Sequence, residues 1–130
     1  MKLYVAGSWN EKENMNNHME YFKSLGHTIT HNWAKYEADL KKSKSVMAVK
    51  DINGVIEADA YIGMYTNKDH IYRGSFTELG AAIAIKKLHK KDYKIFVLCP
   101  EKDANVKSCV FFNHPYIQHF ITMEELVKKL

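Results

Sequence analysis

The chain has 130 residues, of which 46% are hydrophobic, and this length is typical of a single domain. We expect one domain over residues 1–130, which buries roughly two thirds of its unfolded surface and needs no disulfide to fold. The two cysteines, Cys99 and Cys109, form no C-x-x-C pair, which favours a reducing, cytoplasmic location. No apolar run is long enough for a signal peptide or a membrane-spanning helix, so we expect neither.

Basic residues outnumber acidic ones by 19 to 15, which gives a net charge of +4. Nearly all of the basic residues are lysines scattered along the chain, a pattern typical of solvated helix ends. A nucleic-acid surface would cluster arginines with aromatic residues, whereas Arg73 stands alone. We therefore expect neither a nucleic-acid polymer nor a membrane as a partner.

Patterns typical of strands and helices alternate in the first half of the chain. The apolar run over residues 3–6 predicts a buried strand. Asn10 with Glu13 three residues later predicts a helix start, and Gly26 predicts the end of that helix. Three further elements are predicted here: a weaker strand over 27–31, a helix over 43–57 and a strand over 60–65. In the helix over 43–57, Val46, Val49, Ile52 and Ile56 recur at spacings of three and four.

The second half continues the alternation. The helix predicted over 75–88 is apolar almost all round, so we expect it to be buried on two sides. The later elements are a strand over 94–99, a short strand over 119–121 and a last helix opened by a capping box from Thr122 to Glu125. The pattern predicts an α/β fold, a flavodoxin-like or Rossmann-like three-layer sandwich with a parallel sheet of four to five strands.

In such sheets ligands bind beyond the carboxyl ends of the strands. The strongest candidate segment is 73–80, where Ser75 is predicted to be the N-cap of a helix with Arg73 and Gly74 before it. Free backbone N–H groups and the positive end of the helix dipole would make this an anion site. Glu78 lies in the first turn, and its spacing from Ser75 also fits a purely structural capping box.

Other candidates have equally ordinary alternatives. Asp51, at the margin of a helical stripe, either reaches the ligand crevice or is solvated. Tyr4 lies inside the first strand, where an aromatic residue is ordinary core, and Trp9 follows that strand and could stack on a ring-shaped ligand. Metal-ligand spacings, a Gly-x-Gly-x-x-Gly motif and a P-loop are absent from the sequence, so we expect neither a metal nor an organic cofactor.

Three segments over about residues 3–113 recur in this order in one enzyme family. They are Leu3-Tyr4-Val5-Ala6-Gly7-Ser8-Trp9, Asp51-Ile52-Asn53-Gly54-Val55 with Ala58-Asp59, and Gly74-Ser75-Phe76-Thr77-Glu78-Leu79-Gly80-Ala81-Ala82. The chain thereby resembles the nucleoside 2-deoxyribosyltransferases, a family that includes 2'-deoxynucleoside 5'-phosphate N-hydrolases. The resemblance implies that Glu78 attacks the anomeric carbon, that Asp51 exchanges protons with the base or acceptor, and that Tyr4 orients the nucleophile.

The resemblance also implies the remaining site residues. Trp9 would line the pocket, and Asp69 would be a further acid, offset by one residue from the family pattern. A 5'-phosphate would be bound by Ser8, Arg73 and Ser75, with Gly7 and Gly74 beside them. Family members complete the site with a polar residue from a neighbouring subunit, here Asn105 or Ser108. We therefore expect a homo-oligomer, a dimer or larger, with shared active sites.

Three functions follow as hypotheses. The leading one is cleavage of the N-glycosidic bond of 2'-deoxynucleosides, with transfer of the sugar from a glutamyl intermediate to an acceptor nucleobase. The alternative is hydrolysis of 2'-deoxynucleoside 5'-monophosphates, with water as the acceptor. A third, from a different class, is a nucleotide-binding sensor without turnover. A shared fold does not by itself decide between them.

Overall fold

The computed structural model describes residues 1–35 and 40–130, with side chains described for 1–35 and 44–130. Within that part the strands are β1 (Lys2–Ala6), β2 (Thr28–Ile29), β3 (Ala60–Met64), β4 (Lys94–Leu98) and β5 (Ile117–Phe120). The α-helices are α1 (Lys12–Ser24), α2 (Leu40–Glu57), α3 (Gly74–Leu88) and α4 (Met123–Val127). Short 3-10 turns cover Trp9–Glu11, Trp33–Lys35, Asn105–Ser108 and Val110–Asn113.

The five strands form one parallel sheet in the order β2-β1-β3-β4-β5. This is the strand order of flavodoxin-like folds, and it confirms the predicted α/β class. The chain leaves β1 toward β2 and leaves β3 toward β4, in opposite directions along the sheet. A crevice therefore opens between the carboxyl ends of β1 and β3, where such folds bind ligands.

The central strands are buried on both faces. Every residue of β3 is buried, and so are Leu3, Tyr4, Val5 and Ala6 of β1. Strands covered on both sides read as continuous apolar runs rather than alternating ones, which is why the sequence marks them clearly. A polar group on such a strand, such as the Tyr4 hydroxyl, must find a partner inside the protein.

The first helix begins differently from the prediction. Ser8 is extended and its Oγ accepts a hydrogen bond from the Asn10 N–H at 3.2 Å, which starts a 3-10 turn, and α1 follows from Lys12. Asn10 is therefore inside the turn, and its assignment as a helix start was wrong. Gly26 ends the helix region with a φ of 93°, as predicted.

Near the carboxyl end, β5 begins at Ile117, two residues before the predicted strand, and it ends at Phe120. Thr122 caps α4 by accepting a hydrogen bond from the Glu125 N–H at 3.2 Å, as expected.

Two helices expose apolar side chains. The buried face of α2 is formed by Gly54, Val55 and, just beyond the helix, Ala58. Three of the four residues that mark this helix in the sequence point outward instead, since Val46, Val49 and Ile56 are 45%, 59% and 45% exposed, whereas Ile52 is half-buried. The helix α3 is buried along one face only, by Ser75, Leu79, Ala82 and Ile85. The sheet covers a single face of this helix, and the second side, which was expected to face another subunit, stays a prediction.

None of the helices in the described part of the chain is long and apolar enough to cross a membrane.

Candidate active site

A cavity of about 930 Å³ opens at the carboxyl ends of β1 and β3, at the crevice that the strand order creates. Its walls come from the segment after β1, the pocket-facing side of α2, the loop between β3 and α3, and the first turn of α3. Of the residues predicted for the site, it is lined by Tyr4, Gly7, Ser8, Trp9, Asp51, Asp69, Arg73, Gly74, Ser75 and Glu78.

At the floor of the cavity the Tyr4 hydroxyl donates a hydrogen bond to Oε2 of Glu78. Tyr4 lies in the middle of β1 and is fully buried, whereas Glu78 projects from the first turn of α3. The Tyr4 ring is stacked on that of Tyr61, with ring centroids 6.4 Å apart. The hydroxyl group is thereby held by the sheet, and it fixes one oxygen of the carboxyl group in the cavity.

The environment changes the ionisation of both groups. Burial raises the pKa of Glu78 to about 8; the Tyr4 hydrogen bond lowers this pKa, and the charge of Asp51 raises it. Burial, with the charges of Glu78 and Asp51, raises the pKa of Tyr4 far above its usual value. Tyr4 therefore remains a neutral donor, while Glu78 gains and loses its proton near neutral pH, as a catalytic carboxyl group does.

The start of α3 differs from the sequence prediction. Arg73 occupies the N-cap position without a side-chain cap, so Ser75 is in the first turn and is not the N-cap as predicted. Ser75 is 2% exposed, and its Oγ has no hydrogen-bond partner of good geometry among the described residues, although it lies near the Tyr65 hydroxyl. The Ser75–Glu78 capping box does not form, and the Glu78 carboxyl group interacts with Tyr4 instead.

Asp51 reaches the cavity from α2 rather than pointing only to solvent. Its Oδ1 lies 3.4 Å from Nε2 of His31, which lies two residues beyond the end of β2. Both atoms are buried and neither makes a hydrogen bond of good geometry within the described residues. His31 was not predicted from the sequence. The one feature that could have indicated it is its position, as a polar residue near the carboxyl end of a weakly predicted strand.

Two indole rings form the wall after β1. The ring centroids of Trp9 and Trp33 are 6.3 Å apart, and Trp33 Nε1 donates a hydrogen bond to the Val5 carbonyl at 2.8 Å. The Lys12 ammonium lies 5.1 Å from the centre of the Trp9 ring. Trp33 was missed because nothing local in its segment distinguishes it from a core tryptophan. Other lining residues not selected from the sequence are Asn10, Lys44, Met47, Ala48, His70, Ile71 and Tyr72.

Asn105 and Ser108 do not line this cavity. They line a neighbouring one of about 450 Å³, and His70, Ile71 and Tyr72 border both cavities. Their predicted role in the pocket of another subunit stays a prediction. Arg73 does point to the main cavity, and its exposed guanidinium group makes no ion pair within the described residues.

Comparisons with known proteins identify the family and support the fold. The family model described as nucleoside 2-deoxyribosyltransferase matches residues 3–116. The solved structure of the Clostridium botulinum CMP N-glycosidase BcmB resembles the chain with a TM-score of 0.61 and 16% identity. That similarity covers 99% of this chain and 96% of the other, and it concerns the fold. No curated protein sequence matches the chain. Because the family model spans most of the sequence, the chain belongs to the nucleoside 2-deoxyribosyltransferase family of enzymes.

Proposed function

We propose that the protein cleaves the N-glycosidic bond of a 2'-deoxynucleoside 5'-monophosphate, with Glu78 as the nucleophile. The observation that carries this proposal is the buried hydrogen bond between Tyr4 and Glu78. A carboxyl group with a pKa of about 8 has an ionisable, poorly solvated oxygen facing a cavity large enough for a nucleotide. A sensor without turnover would need only an anion site and a stacking ring.

The first step forms a covalent intermediate. A Glu78 carboxylate oxygen attacks the anomeric carbon, the carbon–nitrogen bond breaks, and its electron pair leaves with the nucleobase. The departing base takes up a proton, and Asp51, which reaches the cavity from α2, is the acid that supplies it. Because Oε2 accepts the Tyr4 hydrogen bond, the other oxygen, Oε1, is free to form the ester bond.

The second step releases the sugar. The Asp51 carboxylate removes a proton from the acceptor, which attacks the anomeric carbon, and the bond to Glu78 breaks to regenerate the carboxylate. Tyr4 donates its hydrogen bond in both steps and stabilises the carboxylate that leaves. Trp9 and Trp33 offer apolar faces against which the nucleobase can stack.

A 5'-phosphate fits the first turn of α3. The buried Ser75 Oγ has no well-formed hydrogen bond, and the exposed Arg73 lines the same cavity. The positive end of the α3 dipole lies at this first turn as well. Ser8 and Lys44 line the same cavity. Leaving a buried hydroxyl unpaired is costly, so a ligand oxygen that pairs with it gains affinity. This supports a monophosphate over an uncharged nucleoside.

The acceptor is water in the activity we favour, and the name of the CMP N-glycosidase with a similar fold supports it. Transfer to a free nucleobase is the second candidate, because the family model that matches the chain is described as a transferase. Both activities use the same first step and the same residues. They differ only in what enters the cavity once the first base has left.

The proposal includes a cytoplasmic homo-oligomer with shared sites. Its support is the exposed apolar surface on α2 and α3, where Val49 and Leu88 are 59% and 68% exposed. Either Asn105 or Ser108, after β4, is the residue that the family resemblance assigns to a neighbouring pocket.

The test is to incubate the protein with dCMP, deoxycytidine and CMP, and with the purine equivalents, in the presence and absence of free adenine. Chromatography separates the products. Free base with deoxyribose 5-phosphate supports the hydrolase, and a new nucleoside or nucleotide that appears only with adenine supports the transferase. Binding without turnover in every mixture would contradict both.

A further inference from the structure

The loop between β3 and α3, residues 65–73, forms one wall of the main cavity. It contributes Asp69, His70, Ile71, Tyr72 and Arg73 to the lining. The loop has no regular secondary structure, and Ile71 is 76% exposed. Such a segment holds a binding geometry only if other parts of the protein fix it.

Hydrogen bonds inside the loop are few and long. The Asp69 N–H donates to the Asn67 side chain at 3.1 Å, and the His70 N–H donates to the Asn67 carbonyl at 3.3 Å. The Asn67 N–H donates to the Tyr72 hydroxyl at 3.3 Å. These bonds shape the turn itself. The end of the loop nearest α3 is anchored by Tyr72, whose ring is buried against Tyr65 and whose hydroxyl donates to Oε1 of Glu11 at 3.4 Å. The tip at residues 68 and 69 needs a separate attachment.

Asn105, in the 3-10 turn after β4, holds this tip. Its backbone N–H donates to the Lys68 carbonyl at 2.7 Å, and its side-chain Nδ2 donates to the Asp69 carbonyl at 2.9 Å. Two successive loop carbonyls are thus bound by one residue. An asparagine can do this because its side-chain amide has the same donors as the backbone.

Asn105 is itself held firmly. Its neighbours Ala104 and Val106 are 5% and 4% exposed, so the backbone on both sides is anchored in the core. Its carbonyl accepts a hydrogen bond from the Ser108 hydroxyl at 2.8 Å. The backbone N–H, the carbonyl and the side-chain Nδ2 of Asn105 therefore each make a hydrogen bond within its own chain.

We infer that Asn105 is a positioning residue of its own subunit, which holds the loop of residues 65–73 so that Asp69 and Arg73 face the substrate. The identity of the substrate in this inference rests on the proposed function. It differs from the expectation that Asn105 completes the pocket of a neighbouring subunit, because the side-chain Nδ2 already donates to the loop of its own chain.

The decisive variant is Asn105→Asp, which keeps the size of the side chain but removes its donor. Without this bond, the Asp69 carbonyl faces another hydrogen-bond acceptor, so the loop should move away from its binding geometry. We therefore expect KM for the monophosphate to rise about tenfold and kcat to change less than about twofold. Hydrogen exchange at the amides of residues 68–72 should accelerate without substrate, while exchange in β1 and β3 stays unchanged. Asn105→Gln, which restores a donor, should recover part of both effects.

Asp103→Asn is the matched control. It removes the exposed ion pair between Lys68 and Asp103, 3.6 Å apart at the same junction, which contributes little to stability. Its KM and loop exchange should match the wild type. Unchanged exchange in Asn105→Asp would overturn the inference, and so would faster exchange without a rise in KM.

A mixing experiment separates the two roles of Asn105. Chains with Glu78→Gln are co-expressed with chains carrying Asn105→Asp. If Asn105 served a neighbour, the mixed oligomer would contain intact sites and regain activity, which would overturn the inference. We expect no gain over the Asn105→Asp chains alone. If the wild-type protein shows no turnover, the proposed function fails, and the exchange measurement still decides the role of Asn105.

Discussion

Gly54 of α2 lies against the ring of Tyr4 with no room for a side chain. A β-carbon on Gly54 would stand 2.8 Å from Cδ2 and 2.9 Å from Cε2 of Tyr4, and 3.0 Å from Cβ of His31. The close approach brings α2, and with it Asp51, next to the donor that holds Glu78. A glycine at this position therefore sets the spacing between the two carboxyl groups of the site.

Gly54→Ala should displace the Tyr4 ring and, with it, the Glu78 carboxyl group that Tyr4 holds. The added methyl group must displace a buried ring held by the sheet, so we expect turnover to fall at least about tenfold. Because the Tyr4 bond to Glu78 would weaken, the acidic limb of the pH profile should also move to higher pH. Steady-state kinetics from pH 5 to 10 would measure both effects.

Gly80→Ala is the matched control for this substitution. Gly80 lies in α3, and a β-carbon there would meet no atom within 4 Å. Alanine favours the helix by about 0.5–1 kcal/mol, so this variant should be as stable as the wild type or more so, with normal kinetics. Equal losses of activity in both variants would show that Gly54 has no special role.

The main features of the fold could be predicted because strands covered on both faces are continuous apolar runs, as in residues 3–6 and 60–64. The site could be located because parallel strands bring their carboxyl ends to one edge. Which side of α2 is buried could not be predicted, because apolar periodicity defines a face of a helix but does not show what covers that face. His31 was missed because it follows a strand of two residues, and its partner Asp51 is distant in sequence. Ser75 was misassigned because a shift of the helix start changes a cap into a buried first-turn residue.

Glu78→Gln should abolish turnover and leave the fold intact, because it removes the nucleophile and keeps the volume. If Glu78 served only as a cap, activity would survive, with a stability change of about 1 kcal/mol or less. Product formation by chromatography measures the loss, and circular dichroism checks the fold. Normal turnover in a folded Glu78→Gln protein would end the proposed mechanism.

The same variant should change how stability depends on pH. Folding raises the pKa of Glu78 from 4.5 to about 8, so the unfolded chain releases this proton first and the native state loses stability between these pH values. Glutamine carries no charge at any pH and avoids the loss, which is on the order of a few kcal/mol. Relative to the wild type, Glu78→Gln should be more stable at pH 9 than at pH 5. Urea unfolding at both pH values measures this difference, and a constant difference would contradict the raised pKa.

Tyr4→Phe removes the hydroxyl group and keeps the ring. Since the Tyr4 hydrogen bond lowers the pKa of Glu78, its loss should raise that pKa further above about 8. The nucleophile must be deprotonated, so the rise of kcat/KM with pH should shift to higher pH in the variant. An acidic limb at the same pH in both proteins would show that Tyr4 does not tune the nucleophile.

Arg73→Ala tests the phosphate site. A charge-assisted hydrogen bond contributes about 1.5–3 kcal/mol, so KM for a monophosphate should rise at least about tenfold, with little change for the free nucleoside. Lys87→Ala is a suitable control, because Lys87 is an exposed cation at the far end of α3. Equal effects of Arg73→Ala on both substrates would make the arginine structural and weaken the case for a monophosphate.

The last prediction concerns the exposed apolar surface of α2 and α3. The sequence offered Ala84 or Ile85 as the position that faces away from the sheet, and the structure selects Ala84, because Ile85 is only 9% exposed. Val46 and Val49 on α2, with Leu88 on α3, are exposed apolar residues of the kind that mark an association surface. A two-fold axis would cover such a surface with its own copy.

A charge in this surface should therefore dissociate the oligomer. We expect Ala84→Glu to lower the mass found by light scattering at assay concentration and to reduce activity with it, if a neighbour completes each pocket. Lys91→Glu, which introduces the same side chain and a larger change of charge at an exposed loop residue after α3, should alter neither. A wild-type protein that is fully active as a monomer would contradict shared sites, and it would leave Ser108, like Asn105, with a role only in its own chain.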